Sequence, residues 1–162
     1  MGIRRGGAIS LVRSEVDPKR QTVRLTEKGD IERELPVTAD LLEEMLRHSD
    51  ERGGGAGPMF RYANGNPLTR RRYNYMFERV HASPPFPSAT QISIHWARHT
   101  ALTNLERVSS ESVAANFAGH QPYRSSVTGL YTTSAMTETV DAWCRVWGTT
   151  HPLMSSGSPA SA

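Results

Sequence analysis

His95-Trp96-Ala97-Arg98-His99-Thr100, followed by Ala118-Gly119-His120 and then by Tyr131-Thr132, decides how this chain is read. A His and an Arg three residues apart share one face of a helix. A second His and a Tyr follow in order. This set suits one task, in which Arg and His hold a phosphodiester while a Tyr hydroxyl attacks it. Alone, His95 reads as an ordinary surface or core histidine. The ordered set of four gives it weight.

Outward from that stretch the pattern is mostly helical. His95 to Val108 predicts a helix with Trp96, Leu102 and Leu105 as apolar positions. Shorter helices are expected over 111–118 and 125–131. Met136 to Trp147 predicts a terminal helix whose stripe of Val140, Trp143, Val146 and Trp147 reads as core. The tail from Ser155 to Ala162 is small and polar and reads as disordered.

Upstream, Gly2 to Val12 has the composition of a helix end. Residues 14–36 read as strands. Thr22-Val23-Arg24-Leu25 alternates polar and apolar, Glu27-Lys28-Gly29-Asp30 supplies a turn, and Ile31-Glu32-Arg33-Glu34-Leu35-Pro36 runs back. With an earlier turn at Asp17-Pro18-Lys19-Arg20 this predicts a three-strand meander, with Lys28 at or beside a hairpin tip. Thr38 is a candidate cap for an amphipathic helix through Met45 and Leu46. A Gly-rich loop at 52–58 ends it, and Asn64-Gly65-Asn66-Pro67 is a turn. Leu68 to Val80 predicts a helix led by Thr69-Arg70-Arg71-Arg72-Tyr73, and residues 81–87 form a Pro-rich break. The fold class expected is α+β, mainly α-helical, with a small three-stranded antiparallel sheet near the N-terminus.

Composition bounds the reading. The 162 residues suffice for one domain with a core. The net charge is +3, and the pI is about 9.3. That is a mild hint of a polyanionic partner. Lys19 and Lys28 are the only lysines, and every other fixed cation is Arg. Arg grips a phosphate through a planar fork that Lys lacks, although codon bias explains an overall Arg excess equally well. No apolar stretch approaches the roughly 20 residues of a membrane span. Cys144 is the one cysteine, so no thiolate cluster or internal disulfide is available, in keeping with a reducing cytoplasm.

These residues resemble the catalytic domain of tyrosine recombinases, the phage-integrase family, and within it the integrases of actinobacteria and their plasmids and phages. Gly2-Ile3-Arg4-Arg5-Gly6-Gly7 is similar to that family's first box, with Arg4 as its arginine. Lys28 falls at the family's hairpin lysine. His95 and Arg98 match its His-x-x-Arg, Gly119-His120 its second histidine, and Tyr131 its nucleophile. The match runs from residue 2 to about 153, so residues 1–153 read as one catalytic domain and 154–162 as a tail. Gly7 stands where the family usually has Glu, and the interval from His120 to Tyr131 is a little long. The family carries further residues ahead of the first box and a helical core-binding domain ahead of those, so the chain reads as an N-terminally incomplete catalytic domain.

The resemblance implies strand cleavage and rejoining through a 3′-phosphotyrosine, with double-stranded DNA as partner, a homotetramer on paired sites, and no cofactor or metal. In it Arg4 and Arg98 bind the non-bridging oxygens. Lys28 protonates the leaving 5′-hydroxyl. His95 accepts a proton or a hydrogen bond near the Tyr, and His120 donates to the phosphate. Tyr131 is the expected nucleophile and Tyr123 a weaker rival. Arg70, Arg71 and Arg72 are candidates for tracking a DNA backbone, with a solvated basic helix face as the plain alternative. His99 is expected to pack or cap, and Thr100 to be a helix residue with a satisfied hydroxyl. Two other functions stay open at this point. One is an inactive integrase remnant with at most weak DNA binding. The other is a nicking and closing activity like that of type IB topoisomerases.

Overall fold

The computed structural model describes residues 3–27, 31–53, 55, 57–83, 93–119 and 128–155, with 128–135 described by helical backbone alone. Lys28, His120 and Tyr123 lie outside the described residues, as do the Pro-rich run from residue 84 and the tail from 156.

The first helix, α1 (Arg5–Ser10), is preceded by Arg4 in extended conformation at its N-cap. A 3-10 turn at Arg13–Glu15 leads into the sheet. Its strands β1 (Val16–Asp17), β2 (Thr22–Glu27) and β3 (Ile31–Pro36) form the expected antiparallel meander in the order β1-β2-β3. The Asp17 carboxylate accepts the Lys19 and Arg20 amides and so closes the first turn. Register places Val23 opposite Leu35 and Leu25 opposite Arg33. Because side chains alternate along a strand, Arg33 shares the inward face of β3 with Leu35. Arg24 and Glu34 oppose each other on the other face.

Helix α2 (Ala39–Glu51) starts as expected, with Thr38 accepting the Leu41 amide. Helix α3 (Arg70–His81) begins two residues later than expected, after Thr69, whose hydroxyl accepts the Arg72 amide. Helix α4 (Ile94–Val108) is capped by Ser93, and α5 (Glu111–Ala118) by Ser110. The last long helix differs from expectation. Instead of two helices over 125–131 and 136–147, the chain forms one, α6 (Thr128–Trp147), so Tyr131 lies in the first turns of the terminal helix. A short α7 (Pro152–Ser155) follows.

One apolar core joins these parts. Val23, Leu25 and Leu35 of the sheet meet Met45 of α2, Leu105 of α4, Phe117 of α5 and Trp143 of α6. Val140 is also fully buried and Val146 packs against the core, so the terminal stripe is core as far as Val146, whereas Trp147 is exposed. The helices α4, α5 and α6 pack against one another, and α1 packs on β2 and α3. Trp96 is also exposed, contrary to its reading as an inward apolar position. Arg98, Leu102 and Leu105 form the inward i, i+4, i+7 stripe, and Trp96 stands two residues from Arg98, about 200° around the helix.

Candidate phosphate site

The site forms where α4 and α5 meet the inner face of the sheet. The α5 C-terminus ends on Gly119 in the left-handed conformation, φ +67°, and its amide bonds back into the last turn. A helix C-terminus leaves carbonyls without intrahelical partners and carries partial negative charge. Two arginines from different elements use those carbonyls. Arg98, buried on α4, donates from Nη2 to the Ala118 carbonyl at 2.6 Å. Arg33, half-buried on β3, donates from Nη1 to the Phe117 carbonyl.

A third cation lies within electrostatic reach. Burial pushes Arg33 down to about 10, and the charge of Arg4 adds to that. Burial likewise pushes Arg98 down to about 10, with Arg33 and then Arg4 adding to it. Arg4 itself is exposed. All three guanidiniums stay charged at neutral pH, so the fold gathers three positive charges from the start of α1, from β3 and from α4. Like charges gathered beside a partly buried surface are unfavourable unless an anion joins them.

His95 is exposed one turn before Arg98. It does not stand alone. His99 Nε2 lies 3.0 Å from His95 Nε2, with the rings edge-on. In such a pair one ring nitrogen donates and the other accepts. His99 therefore neither packs in the core nor caps the helix, as its sequence context had suggested. The Thr100 hydroxyl donates to the Trp96 carbonyl at 3.0 Å and is satisfied as expected.

Of the expected site residues, Arg98 stands at the α5 C-terminus within electrostatic reach of Arg4, and His95 lies on the same helix as Arg98. Lys28 and His120 fall outside the described residues, and so does the Tyr131 side chain. Arg33 was not anticipated. Its inward position opposite Leu25 depends on strand register, which the structure reveals.

Arg70, Arg71 and Arg72 are exposed at the start of α3. Arg72 lies over the Tyr75 ring, 5.5 Å from its centre. Tyr73 instead turns inward against Phe77 and the core, and burial raises its hydroxyl pKa. Arg5 donates to the Asn74 side chain at 2.7 Å, which ties this basic helix to the residue that follows Arg4. Among the described residues, no group of three or more His, Cys, Asp or Glu side chains could hold a metal ion, and no helix is long and apolar enough to cross a membrane.

Arginines from β3 and α4 thus meet at a helix C-terminus on a helical domain with a three-stranded sheet. The model of the phage integrase family matches residues 1–138, and the chain belongs to that family. It is 32% identical over 107 residues to the tyrosine recombinase XerC of Corynebacterium efficiens. That stretch is 64% of this chain but 34% of the relative, so the chain spans about a third of the recombinase it matches. The fold is similar to that of the XerA recombinase, with a TM-score of 0.62 at 16% identity, over 91% of this chain and 53% of that one. XerH site-specific recombinase bound to its difH substrate gives 0.62 at 18% identity, over 82% and 42%. The Tn1549 transposon integrase in complex with transposon right end DNA gives 0.59 at 16% identity, over 82% and 54%.

Proposed function

We propose that this chain carries the strand-cleaving site of a site-specific DNA recombinase. Double-stranded DNA is the partner, and a homotetramer on paired sites is the working assembly. The observation that carries this reading is the placement of Arg98 and Arg33 at the α5 C-terminus, within electrostatic reach of Arg4, in the fold of recombinases solved on DNA.

The reaction is phosphoryl transfer. A Tyr hydroxyl is a weak nucleophile at neutral pH and needs a phosphate whose charge is already countered. Tyr131 attacks the scissile phosphate and forms a 3′-phosphotyrosine. The bond to the 5′-oxygen breaks, and Lys28 gives that oxygen its proton. Arg4 and Arg98 stabilise the added charge of the transition state. His95 takes the Tyr proton or accepts its hydrogen bond, and His120 donates to the phosphate. A 5′-hydroxyl from a second strand then attacks the phosphotyrosine, restores a phosphodiester and releases the Tyr. The bond energy is kept throughout, so no nucleotide is consumed. Arg70, Arg71 and Arg72 hold the DNA backbone beside the site, a contact that positions without reading bases.

The test uses a pool of nicked duplexes with randomised sequence. Strands that become covalently attached to the protein are recovered and sequenced. An adduct in EDTA that Tyr131→Phe abolishes and Tyr123→Phe leaves intact is the expected result. An adduct that survives Tyr131→Phe, or requires a divalent metal, overturns this mechanism.

A further inference from the structure

Arg33 belongs to the inward face of β3, where Leu35 is fully buried. A cation at such a position is costly to bury unless something holds it and something uses it. It is held from α5, where its Nη1 bonds the Phe117 carbonyl, one residue before the carbonyl that Arg98 takes. Its stem lies against Gly119, where a β-carbon would stand 3.0 Å from Cδ and 3.1 Å from Nε. Arg33 and Arg98 therefore grip consecutive carbonyls of one helix terminus, one from the sheet and one from α4. The residue after Gly119 in the chain is His120.

We infer that Arg33 is a positioning residue of the phosphate site, which fixes the α5 C-terminus beside Arg98 and supplies a third positive charge to the bound phosphate group. This rests on the reading of the site as one for a DNA phosphate. Two properties of Arg33 suit the task. Its guanidinium fork can bond a carbonyl and still present charge elsewhere. It also comes from the sheet, so it ties the helical layer to the strands that flank Lys28 in the chain. Burial lowers both arginines; the charge of Arg4 lowers Arg33 further, and the charges of Arg33 and Arg4 lower Arg98 further, which agrees with three cations sharing one field.

Two arms test the inference. In the first, inorganic pyrophosphate is titrated at constant ionic strength, and the anion-dependent rise in Tm is read rather than Tm itself. The wild-type chain gains stability. Arg33→Met weakens the apparent affinity on the order of tenfold, the size of one nearby charge in an effective dielectric of about 20. Arg33→Lys falls between the two, because it keeps the charge and loses the fork. Arg24→Met, which removes the same charge from the outer face of β2, leaves the affinity unchanged. Equal affinity in wild type and Arg33→Met overturns the inference, and so does equal loss in Arg24→Met or the absence of any gain in wild type. Should Arg33→Met fail to fold, Arg33→Lys decides, and wild-type affinity there overturns the inference.

In the second arm, covalent adducts form on DNA with either a normal or a neutral methylphosphonate linkage at the cleaved position. A residue that supplies charge to the phosphate loses importance when the phosphate loses its own. The Arg33→Met defect should shrink several-fold on methylphosphonate, whereas a purely structural defect would stay the same and overturn the inference. Absence of any wild-type adduct would sink the proposed recombinase activity and leave the pyrophosphate arm intact.

Discussion

Gly119 and Arg33 pack so closely that a β-carbon on the glycine would stand 3.0 Å from Cδ of the arginine. The glycine also sits at φ +67°, a conformation that side chains with a β-carbon rarely take. The conformation disfavours any β-carbon, and the contact adds that one would push the Arg33 stem aside by a few tenths of an ångström. Gly119→Ala should cost about 1 kcal/mol or more for the left-handed backbone, with further loss from the displaced Arg33 stem. Urea denaturation measures it, and a midpoint equal to wild type would contradict the packing.

Arg98→Lys separates charge from geometry. The lysine keeps the positive charge but has no planar fork to bond the Ala118 carbonyl and a phosphate together. Covalent adduct formation should fall by about 10²–10³, the loss typical of a preorganised charge-stabilising donor. Thermal melting should move by only about 2–4 °C per kcal/mol of altered packing. Near-normal adduct formation would remove Arg98 from the chemistry.

The arginine cluster also sets a pH dependence. Arg33 and Arg98 are held at about 10 in the folded chain, below the ordinary arginine range. The unfolded chain therefore binds more protons in the interval above about 10, and the cluster's contribution to stability rises with pH there. Below about 10 the unfavourable charge is present in full, and a bound anion relieves it. The stabilisation by sulfate, taken relative to Arg33→Met to remove its general salting effect, should be level from about pH 7 to 9. It should shrink as pH passes through about 10. A difference that grows above pH 10 would reverse the sign of the argument.

The Ser93 hydroxyl accepts the Trp96 amide at 3.2 Å and starts the helix that carries His95 and Arg98. Ser93→Ala should cost about 1 kcal/mol, and Ser93→Asp should restore most of it. Amide hydrogen exchange in the first turn of α4 would report the loss. Unchanged protection in Ser93→Ala would mean that packing alone holds this helix end.

Local signals in the sequence carried much of the fold. Alternation over Thr22–Leu25 and Leu35 gave the hairpin, and Thr38 gave a helix start. Each needs only neighbouring residues, and each matches the structure. The long α6 was less legible. Thr132, Thr133 and Ser134 are weak helix formers that interrupt the apolar stripe, whereas packing of Val140, Ala142 and Trp143 supports the helix from further along. In the site, Arg98 followed from its motif, but Arg33 did not, because its meaning depends on strand register. Only the pairing with Leu25 reveals that this cation faces inward. The His95–His99 pair could have been read from its i, i+4 spacing alone.

Gln21, at φ +52° in the first turn of the sheet, offers one carbonyl to two donors, the Val37 amide and Nε2 of the buried His151, each at 2.9 Å. Nδ1 of the same imidazole accepts the Leu153 amide at 3.3 Å, which leaves Nε2 as the donor to Gln21. The two partners, Gln21 and His151, are 130 residues apart. During translation, at about 5–20 residues per second, the carbonyl waits on the order of ten seconds for that donor. Within this stretch the sheet leaves the ribosome well before the residue that completes the bonding of its first turn, so the hairpin pairs first and is tied to His151 afterwards.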